Sequence, residues 1–348
     1  MDTREVNISK LLTPQKLFIP VLLGLAVSGW MLWKGFDKEA FSNVDWTFQT
    51  LFWLFIALLM MALRDIAYMY RIRILTENKI SWRKSFDVIM LWEFASAVTP
   101  SVVGGSGVAI FILNKEKINL GKSTAIVMVT AMLDELFYIL SVPLVFLFIG
   151  ANELFPVNLE KQIFGFTLGS QEIFWVGFSF IVLLTLTITL GIFVAPLRVK
   201  KIIYSVFQLK LLKRWRKKAI QTANDIIITS EELKGKPVTY WIKGFVATIF
   251  AWTARYFVVN FLILAFNPVS EHLLIFGRQL VMWVIMLISP TPGGAGIAEL
   301  AFDGFLQDFI PQGLSPAIAL LWRLFSYYPY LIIGIIVLPN WLRRVYNK

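Results

Sequence analysis

The sequence places a glycine-rich turn and a carboxylate inside a stretch that is otherwise apolar. Residues 289–299 read SPTPGGAGIAE, with the pair Gly293 and Gly294 ahead of Glu299 and apolar runs on both sides. In a membrane, irregular backbone is tolerated only where protein buries it or where it lines a water-filled cavity. An ionisable residue at that depth is a functional-site hypothesis by default. We therefore predict a binding site at this turn.

An earlier segment repeats part of this pattern. Residues 99–109 read TPSVVGGSGVA, so that GGSGVA, which contains Gly104 and Gly105, matches the later GGAGIA. The match predicts a duplicated architecture with two similar turns. Because Ile110 stands where the second copy has Glu299, we expect the two turns to differ in function.

The residue types around these turns favour the binding of an anion. A helix that begins at either glycine pair points free backbone N–H groups and the positive end of its dipole into the space ahead of it. Glycine also lets a phosphate approach the backbone closely. Arg255 and Arg323 lie within apolar runs and carry the planar fork that binds phosphate through two parallel hydrogen bonds. We predict that these groups bind a phosphate.

Carboxylates are predicted to complete the site. Glu93, Asp134 and Glu299 lie at membrane depth, where they would offset the arginines, contact a cationic headgroup or carry a coupling proton. The alternative interpretation is that such residues form structural ion pairs that fix the register of the helices. It is favoured most for Arg64 and Asp65, which we place near a cytoplasmic helix end where an arginine side chain can reach the interface.

The composition indicates a protein that crosses a membrane several times. Of 348 residues, 57% are hydrophobic and only 16% are charged, against about a quarter charged in soluble domains. The absence of cysteine excludes disulfides, thiolate metal sites and a cysteine nucleophile, and a single histidine leaves little scope for a histidine metal site. We predict no catalytic residue, metal or cofactor.

The net charge of +11 is concentrated in one segment. Residues 198–236 hold eleven Lys/Arg against three Asp/Glu, which is +8 of that total. A basic block of this kind, with apolar residues among the lysines, is typical of an amphipathic segment on the cytoplasmic membrane surface. We therefore predict contact with anionic lipid and no binding of nucleic acid.

Six apolar runs are near the ~20 residues that a spanning helix needs. They cover residues 15–35, 47–70, 121–150, 172–197, 238–266 and 314–339. Two further segments, 82–113 and 272–311, are broken by Pro100 and by the prolines at 290 and 292 into arms that are short for independent spans. We predict that each forms a helical hairpin that enters and leaves the membrane by the same face.

The predicted fold class is an all-α integral membrane protein with six full transmembrane helices and two re-entrant helical hairpins in an inverted-topology repeat. Repeat one covers 47–150 and repeat two covers 238–339. Basic loops, including the one in which we place Arg71 and Arg73, alternate with acid-leaning loops, which puts both termini in the cytoplasm. Opposed hairpins in such a repeat place a binding site near the midplane of the membrane.

At these residues the chain resembles the lysylphosphatidylglycerol synthase transmembrane (flippase-like) family. The resemblance rests on PTPGGAGIAE, the span bearing Arg323 and the paired TP…GG hairpins, and it covers nearly the whole chain. It implies an inner-membrane protein that moves or presents phospholipid or other lipid-linked anions between leaflets. Larger members add a soluble aminoacyltransferase domain, and this chain ends at Lys348 without one, so lipid aminoacylation is not implied.

The function predicted first is a flippase without enzymatic activity that moves an anionic phospholipid or lipid-linked substrate. Three alternatives stay open: an integral-membrane transferase acting on a lipid phosphate, a cell-envelope scaffold or regulatory subunit, and a transporter of small ions or solutes. A separate lipid-modifying enzyme is a further candidate partner.

Overall fold

The computed structural model describes residues 44–99, 101–156, 161–163, 166–206, 208, 216–287 and 297–346, with the single residues 29, 30, 33, 39 and 42. Within these residues the fold is helical apart from one short β-hairpin. The helices are α1 Phe48–Leu75, α2 Trp82–Val98, α3 Ser101–Lys115, α4 Leu120–Ile149, α5 Ala151–Leu154, α6 Ser170–Thr189, α7 Pro196–Val206, α8 Arg216–Lys234, α9 Val238–Leu264, α10 His272–Met286, α11 Ile297–Leu306, α12 Ser315–Ser326 and α13 Tyr328–Tyr346. The strands β1 Lys161–Ile163 and β2 Phe166–Leu168 pair antiparallel, with Lys161 opposite Leu168.

Five stretches of helix in the described part of the chain are long and apolar enough to cross a membrane. They are Phe48–Leu75, Leu120–Ile149, Ser170–Val194, Val238–Leu264 and Ser315–Tyr346. Each coincides with a predicted apolar run, and the chain is therefore a multi-pass membrane protein. Most of the first predicted run, 15–35, lies outside the described residues.

Side-chain caps begin two of the helices around the site, α4 and α1. Asn119 accepts a hydrogen bond from the backbone N–H of Lys122 at 2.7 Å and so begins α4. Thr47 does the same for α1 through the N–H of Thr50 at 3.3 Å. These caps satisfy backbone donors that the first helical turn leaves without partners.

Helices α1 and α9 pack along most of their length and run in opposite directions. At one end Trp46, just before α1, contacts the ring of Phe266, just after α9, with 6.1 Å between ring centroids. At the other end the hydroxyl of Tyr240 in α9 donates to the carbonyl of Leu75 in α1 at 3.4 Å. This antiparallel pair brings together Arg64 and Arg255, which the sequence places at matching positions of the two predicted repeats.

Two helix pairs stand where hairpins are predicted. Helix α2 ends at Val98 and α3 begins at Ser101, while α10 ends at Met286 and α11 begins at Ile297, so the described helix ends agree with the positions of both predicted breaks. Pro100 and residues 288–296, with Gly293 and Gly294, lie outside the described residues.

The two helix pairs open towards opposite ends of the α1–α9 pair. The outer ends of α2 and α3 meet through the ion pair of Lys84 with Glu116 at 3.0 Å, beside the C-terminal end of α1. The outer end of α11 lies beside the C-terminal end of α9, because Asn267 donates to the carbonyl of Phe309 at 2.9 Å. The first arm of each pair also packs on the other half of the chain, α2 on α13 and α10 on α4.

The close contact between α2 and α13 depends on Gly334. A Cβ atom at this position would overlap with the ring of Phe94. We expect Gly334→Ala to destabilise the protein by about 1–3 kcal/mol, as overpacking does in well-packed interiors. Gly107→Ala in α3 is the matched control, since nothing lies within 4 Å of its added methyl group. The comparison is of thermal melting in detergent, and an equal effect of the two substitutions would contradict the packing argument.

The basic segment 198–236 contains α7 and α8. Helix α7 exposes Leu197 and Ile202, as expected for an amphipathic surface helix. Helix α8 packs against the first turns of α4, and Ser230 donates a hydrogen bond to the carbonyl of Ile192. The contact of this segment with a membrane surface stays a prediction.

An ion cluster ties α8 and the start of α9 to the end of α1. Glu77 follows α1 in a left-handed conformation with φ of 55° and accepts hydrogen bonds from Lys122 and Lys236, each at 2.8 Å. Lys122 also binds Glu232 at 2.6 Å. The hydrogen bond from Lys122, with that from Lys236, lowers the pKa of Glu77 from 4.5 to about 2.

The lowered pKa of Glu77 predicts a pH-dependent contribution to stability. The contribution is present above pH 4.5 and is lost as the pH falls towards about 2, because the folded state then loses its charged carboxylate. Since the group is partly exposed, we expect about 1 kcal/mol or less. The melting difference between wild type and Glu77→Gln should therefore shrink over this pH range. A difference that stays constant would mean that the charge of Glu77 does not stabilise the fold.

Candidate functional site

A cavity of about 340 Å³ lies among the helices and collects most of the charged residues that were predicted for a site. Glu93 of α2, Asp134 of α4, Arg255 of α9 and Arg323 of α12 all line it. The inner ends of both helix pairs reach it as well, through Thr99 and Leu287. Residues from distant parts of the sequence therefore share one polar space inside an apolar bundle.

Arg64 binds two residues of the cavity wall, Glu93 and Tyr330. Its guanidinium donates to Glu93 at 2.7 Å, to Asp65 at 2.9 Å and to the hydroxyl of Tyr330 at 2.6 Å. Tyr330 in turn donates to Asp65 at 2.8 Å. The expectation that Arg64 reaches the interface is wrong, because the residue is 1% exposed and lies well inside α1. Its role as a structural ion-pair residue is the one that the geometry supports.

Arg71 was expected in a cytoplasmic loop, and that placement is wrong. It lies in α1, is buried, and makes a two-pronged contact with Asp134 through its two terminal nitrogens. Asp134 also accepts from the indole N–H of Trp252 at 2.8 Å. The signal that could have found Arg71 is its spacing: Arg64, Tyr68 and Arg71 follow the i, i+4, i+7 pattern of one helix face.

Glu299 and Arg323 form the third ion pair. Arg323 Nε lies 3.0 Å from Glu299 Oε1, and the side chain of Glu299 is 0% exposed while that of Arg323 is 6% exposed. Arg323 also lies over the ring of Tyr327 at 3.9 Å from the centroid, a cation–π contact. Arg323 lines the cavity, whereas Glu299 is not among the lining residues. Glu299 offsets the charge of an arginine in this structure, which is one of the three roles predicted for it.

Two charged residues differ from these pairs. Arg255 lines the cavity and lies over the ring of Trp252, with 5.3 Å to the centroid, but it forms no ion pair within the described residues. Glu135 lines the same cavity, is 6% exposed, and has no cation partner in that part of the chain. One cation and one carboxyl group are thus left to interact with what enters the cavity.

Of the two predicted glycine-rich turns, the structure describes part of the earlier one, which contains Gly104 and Gly105. A Cβ atom at Gly105 would overlap with the side chain of Ser96, so this glycine permits close packing of α2 on α3. Gly104 lies in the first turn of α3. The binding of a phosphate at Gly104, Gly105, Gly293 or Gly294 stays a prediction.

Arg278 is a further buried arginine, and its contacts lie outside the cavity. It donates to the carbonyls of Glu153 at 2.8 Å and Phe305 at 3.0 Å, and to the carboxylate of Asp308 at 2.7 Å. These bonds join α10 to α5 and to the end of α11. The residue is structural and does not line the cavity.

Comparison with known proteins places the chain in a family. Residues 21–334 match the family described as the lysylphosphatidylglycerol synthase TM region. The chain is also similar to a UPF0104 membrane protein of Archaeoglobus fulgidus, with 23% identity over 271 residues that cover 74% of this chain and 76% of the relative. The family match covers α1 to α12 and the first part of α13, and it includes every residue that lines the cavity. The chain is a multi-pass membrane protein that belongs to the lysylphosphatidylglycerol synthase TM region family.

Proposed function

We propose that this protein is a flippase that moves an anionic phospholipid or other anionic lipid-linked substrate between leaflets without altering it chemically. The observation that carries the proposal is Arg255, a guanidinium on the cavity wall that forms no ion pair with a carboxylate of the described residues. The neighbouring arginines each have a carboxylate partner: Glu93 for Arg64, Asp134 for Arg71 and Glu299 for Arg323. A phosphate that enters the cavity can accept two parallel hydrogen bonds from the planar fork of this guanidinium.

The size of the cavity supports a headgroup as its occupant. At about 340 Å³ it falls at the lower end of the range of small-molecule sites. A phosphate with a small headgroup fits such a space, while two acyl chains do not and would remain in the bilayer. A substrate held in this way is moved by its polar end.

The arrangement of the helices supports alternating access to the cavity. Three features agree with an inverted repeat of 47–150 and 238–339. Helices α1 and α9 pack antiparallel, the two helix pairs open towards opposite ends, and the first arm of each pair packs on a helix of the other repeat. We propose that α2–α3 and α10–α11 are re-entrant hairpins, within six full spans, in a cytoplasmic membrane with both termini inside. In such repeats one half moves against the other around a fixed central site.

Labelling of single cysteines tests the inverted arrangement. Lys117 follows the first hairpin, Gln307 follows the second, and both are exposed. We expect Lys117→Cys to be labelled from the cytoplasmic side and Gln307→Cys from the outside by a reagent that does not cross the membrane. The wild type contains no cysteine, so it is the blank. Labelling of both positions from one side would exclude the proposed topology.

The function is tested by a leaflet-resolved assay in proteoliposomes. Fluorescent phosphatidylglycerol is placed in the outer leaflet, and its transfer is followed by its protection from a membrane-impermeant quencher. We expect the wild type to accelerate transfer over protein-free vesicles. Mass spectrometry of the lipid after the assay should show it unchanged, since a new lipid product would instead favour the transferase. No acceleration with any anionic phospholipid would rule out the flippase.

A further inference from the structure

Glu135 is a buried carboxyl group that the binding of a phosphate does not require. It lies near the middle of α4, is 6% exposed and lines the cavity. Its Oε2 atom has no hydrogen-bond partner among the described residues, and neither does the hydroxyl of Thr130, another cavity-lining group of α4. Two buried polar atoms without partners on one wall indicate that the cavity brings them a small polar ligand.

The other charged groups around the cavity are occupied with one another or lie apart from Glu135. Asp134 is bound to Arg71, Glu93 to Arg64 and Arg323 to Glu299, while Arg255 lines the cavity without an ion pair in the described residues.

Among the described residues, the helices that pack on α4 bring no cation to Glu135. From α10 the cavity wall receives Gln279 and apolar or aromatic residues, and from α3 it receives Ser106. Helix α6 carries Glu172 in its first turn, α5 carries Glu153, and α8 meets the N-terminal end of α4 through Glu232 and Asp225. Arg278 of α10 is bound to Asp308, and Lys243 of α9 is exposed.

We propose that Glu135 carries a proton together with the anionic lipid, an inference that rests on the proposed flippase function. A charged carboxylate without a cation partner is strongly disfavoured in a dry interior, and a proton is the smallest cation that neutralises it. A lipid phosphate bound at Arg255 adds a negative charge to the same cavity, which favours the neutral form of Glu135 further. The proton and the lipid therefore bind together and leave together.

The step requires no chemical change in the lipid. A hydronium ion on one side donates a proton to a Glu135 carboxylate oxygen and leaves a water molecule, and the ionised phosphate binds at Arg255. The proton, which is taken up by water, and the lipid are then released on the other side. One negative and one positive charge move together, so the transfer is electroneutral. A pH gradient drives it and a membrane potential does not.

A pH gradient across proteoliposomes tests the proposal. With phosphatidylcholine vesicles that contain fluorescent phosphatidylglycerol, we expect the wild type to shift the labelled lipid towards the leaflet on the alkaline side. One proton per lipid gives a shift of about tenfold per pH unit at equilibrium. Glu135→Gln keeps the shape of the neutral side chain, so it should still equilibrate lipid but ignore the gradient. Glu153→Gln, an exposed glutamate of α5, is the matched control and should behave as the wild type.

A second measurement is independent of transport. At neutral pH, the infrared carbonyl band of protonated carboxyl groups in the purified protein should lose one component in Glu135→Gln and none in Glu153→Gln, since an exposed glutamate is ionised at that pH. A band that Glu135→Gln leaves unchanged overturns the proposal, as does a wild type that transports lipid but ignores the pH gradient, or one that follows a sodium gradient at constant pH. A wild type that transports no lipid overturns the flippase function itself, and the infrared result then decides separately whether Glu135 holds a proton.

Discussion

Replacement of Arg255 by alanine is expected to slow lipid transfer by roughly tenfold to hundredfold, the equivalent of about one hydrogen bond to a charged group. The physical reason is that Arg255 is the cavity-lining arginine without a carboxylate partner in the described residues, so its binding capacity is directed to the substrate. The leaflet-resolved assay measures this loss. The protein should still fold, because removal of Arg255 leaves no ion-pair partner behind.

Two further variants sharpen the result. Arg255→Lys should restore transfer in part, since lysine keeps the charge but lacks the planar fork that contacts two phosphate oxygens. Lys243→Ala on the same helix α9 removes an exposed cation and is the matched control. Transfer by Arg255→Ala at the wild-type rate would exclude Arg255 from the binding site.

Most of the membrane-spanning helices could be predicted because an apolar segment in a bilayer has few ways to satisfy its backbone hydrogen bonds. A run such as 238–266 has few alternatives to a spanning helix, and the structure has α9 at that place. The cost of placing a charge in hydrocarbon likewise allowed the cavity residues to be predicted. Glu93, Asp134, Arg255 and Arg323 are costly in hydrocarbon, which left protein or water as their surroundings, and they do face one cavity.

The ion pairs were harder to predict because their partners are far apart in the sequence. The bond from Arg64 to Tyr330 joins residues 266 positions apart, and its geometry depends on how α1 meets α13. Arg71 was missed for another reason. A charge at the end of an apolar run is consistent with a loop as well as with a buried helix face, and only the carboxylate of Asp134 opposite it decides between them.

The difference in ion pairing between Arg255 and the other arginines also could not be predicted from the sequence. The sequence alone gives Arg255 and Arg323 the same character, as cations within apolar runs. Packing gives Arg323 a fully buried carboxylate partner and leaves Arg255 with none in the described residues. The two arginines are therefore expected to respond differently to substitution.

Arg323→Gln is expected to destabilise the protein by about 3–5 kcal/mol, because the buried carboxylate of Glu299 then loses its ion pair with Arg323. Glu299 is 0% exposed and cannot reach water, whereas Arg323 lines the cavity and can. The reverse substitution, Glu299→Gln, should therefore cost less. Melting temperatures of the two single variants and of the Arg323→Gln/Glu299→Gln double variant give the coupling between the residues.

The double variant separates the structural role of Arg323 from a role in binding. Two glutamines can bond to each other, so the fold should recover most of the stability that Arg323→Gln loses. If transfer recovers with the fold, Arg323 acts through the ion pair alone and Arg255 binds the phosphate. If the double variant folds but transfers lipid as poorly as Arg255→Ala, Arg323 contacts the substrate as well. Additive losses in the two single variants would show that the Glu299–Arg323 pair does not stabilise the fold, because coupled residues cannot lose stability independently.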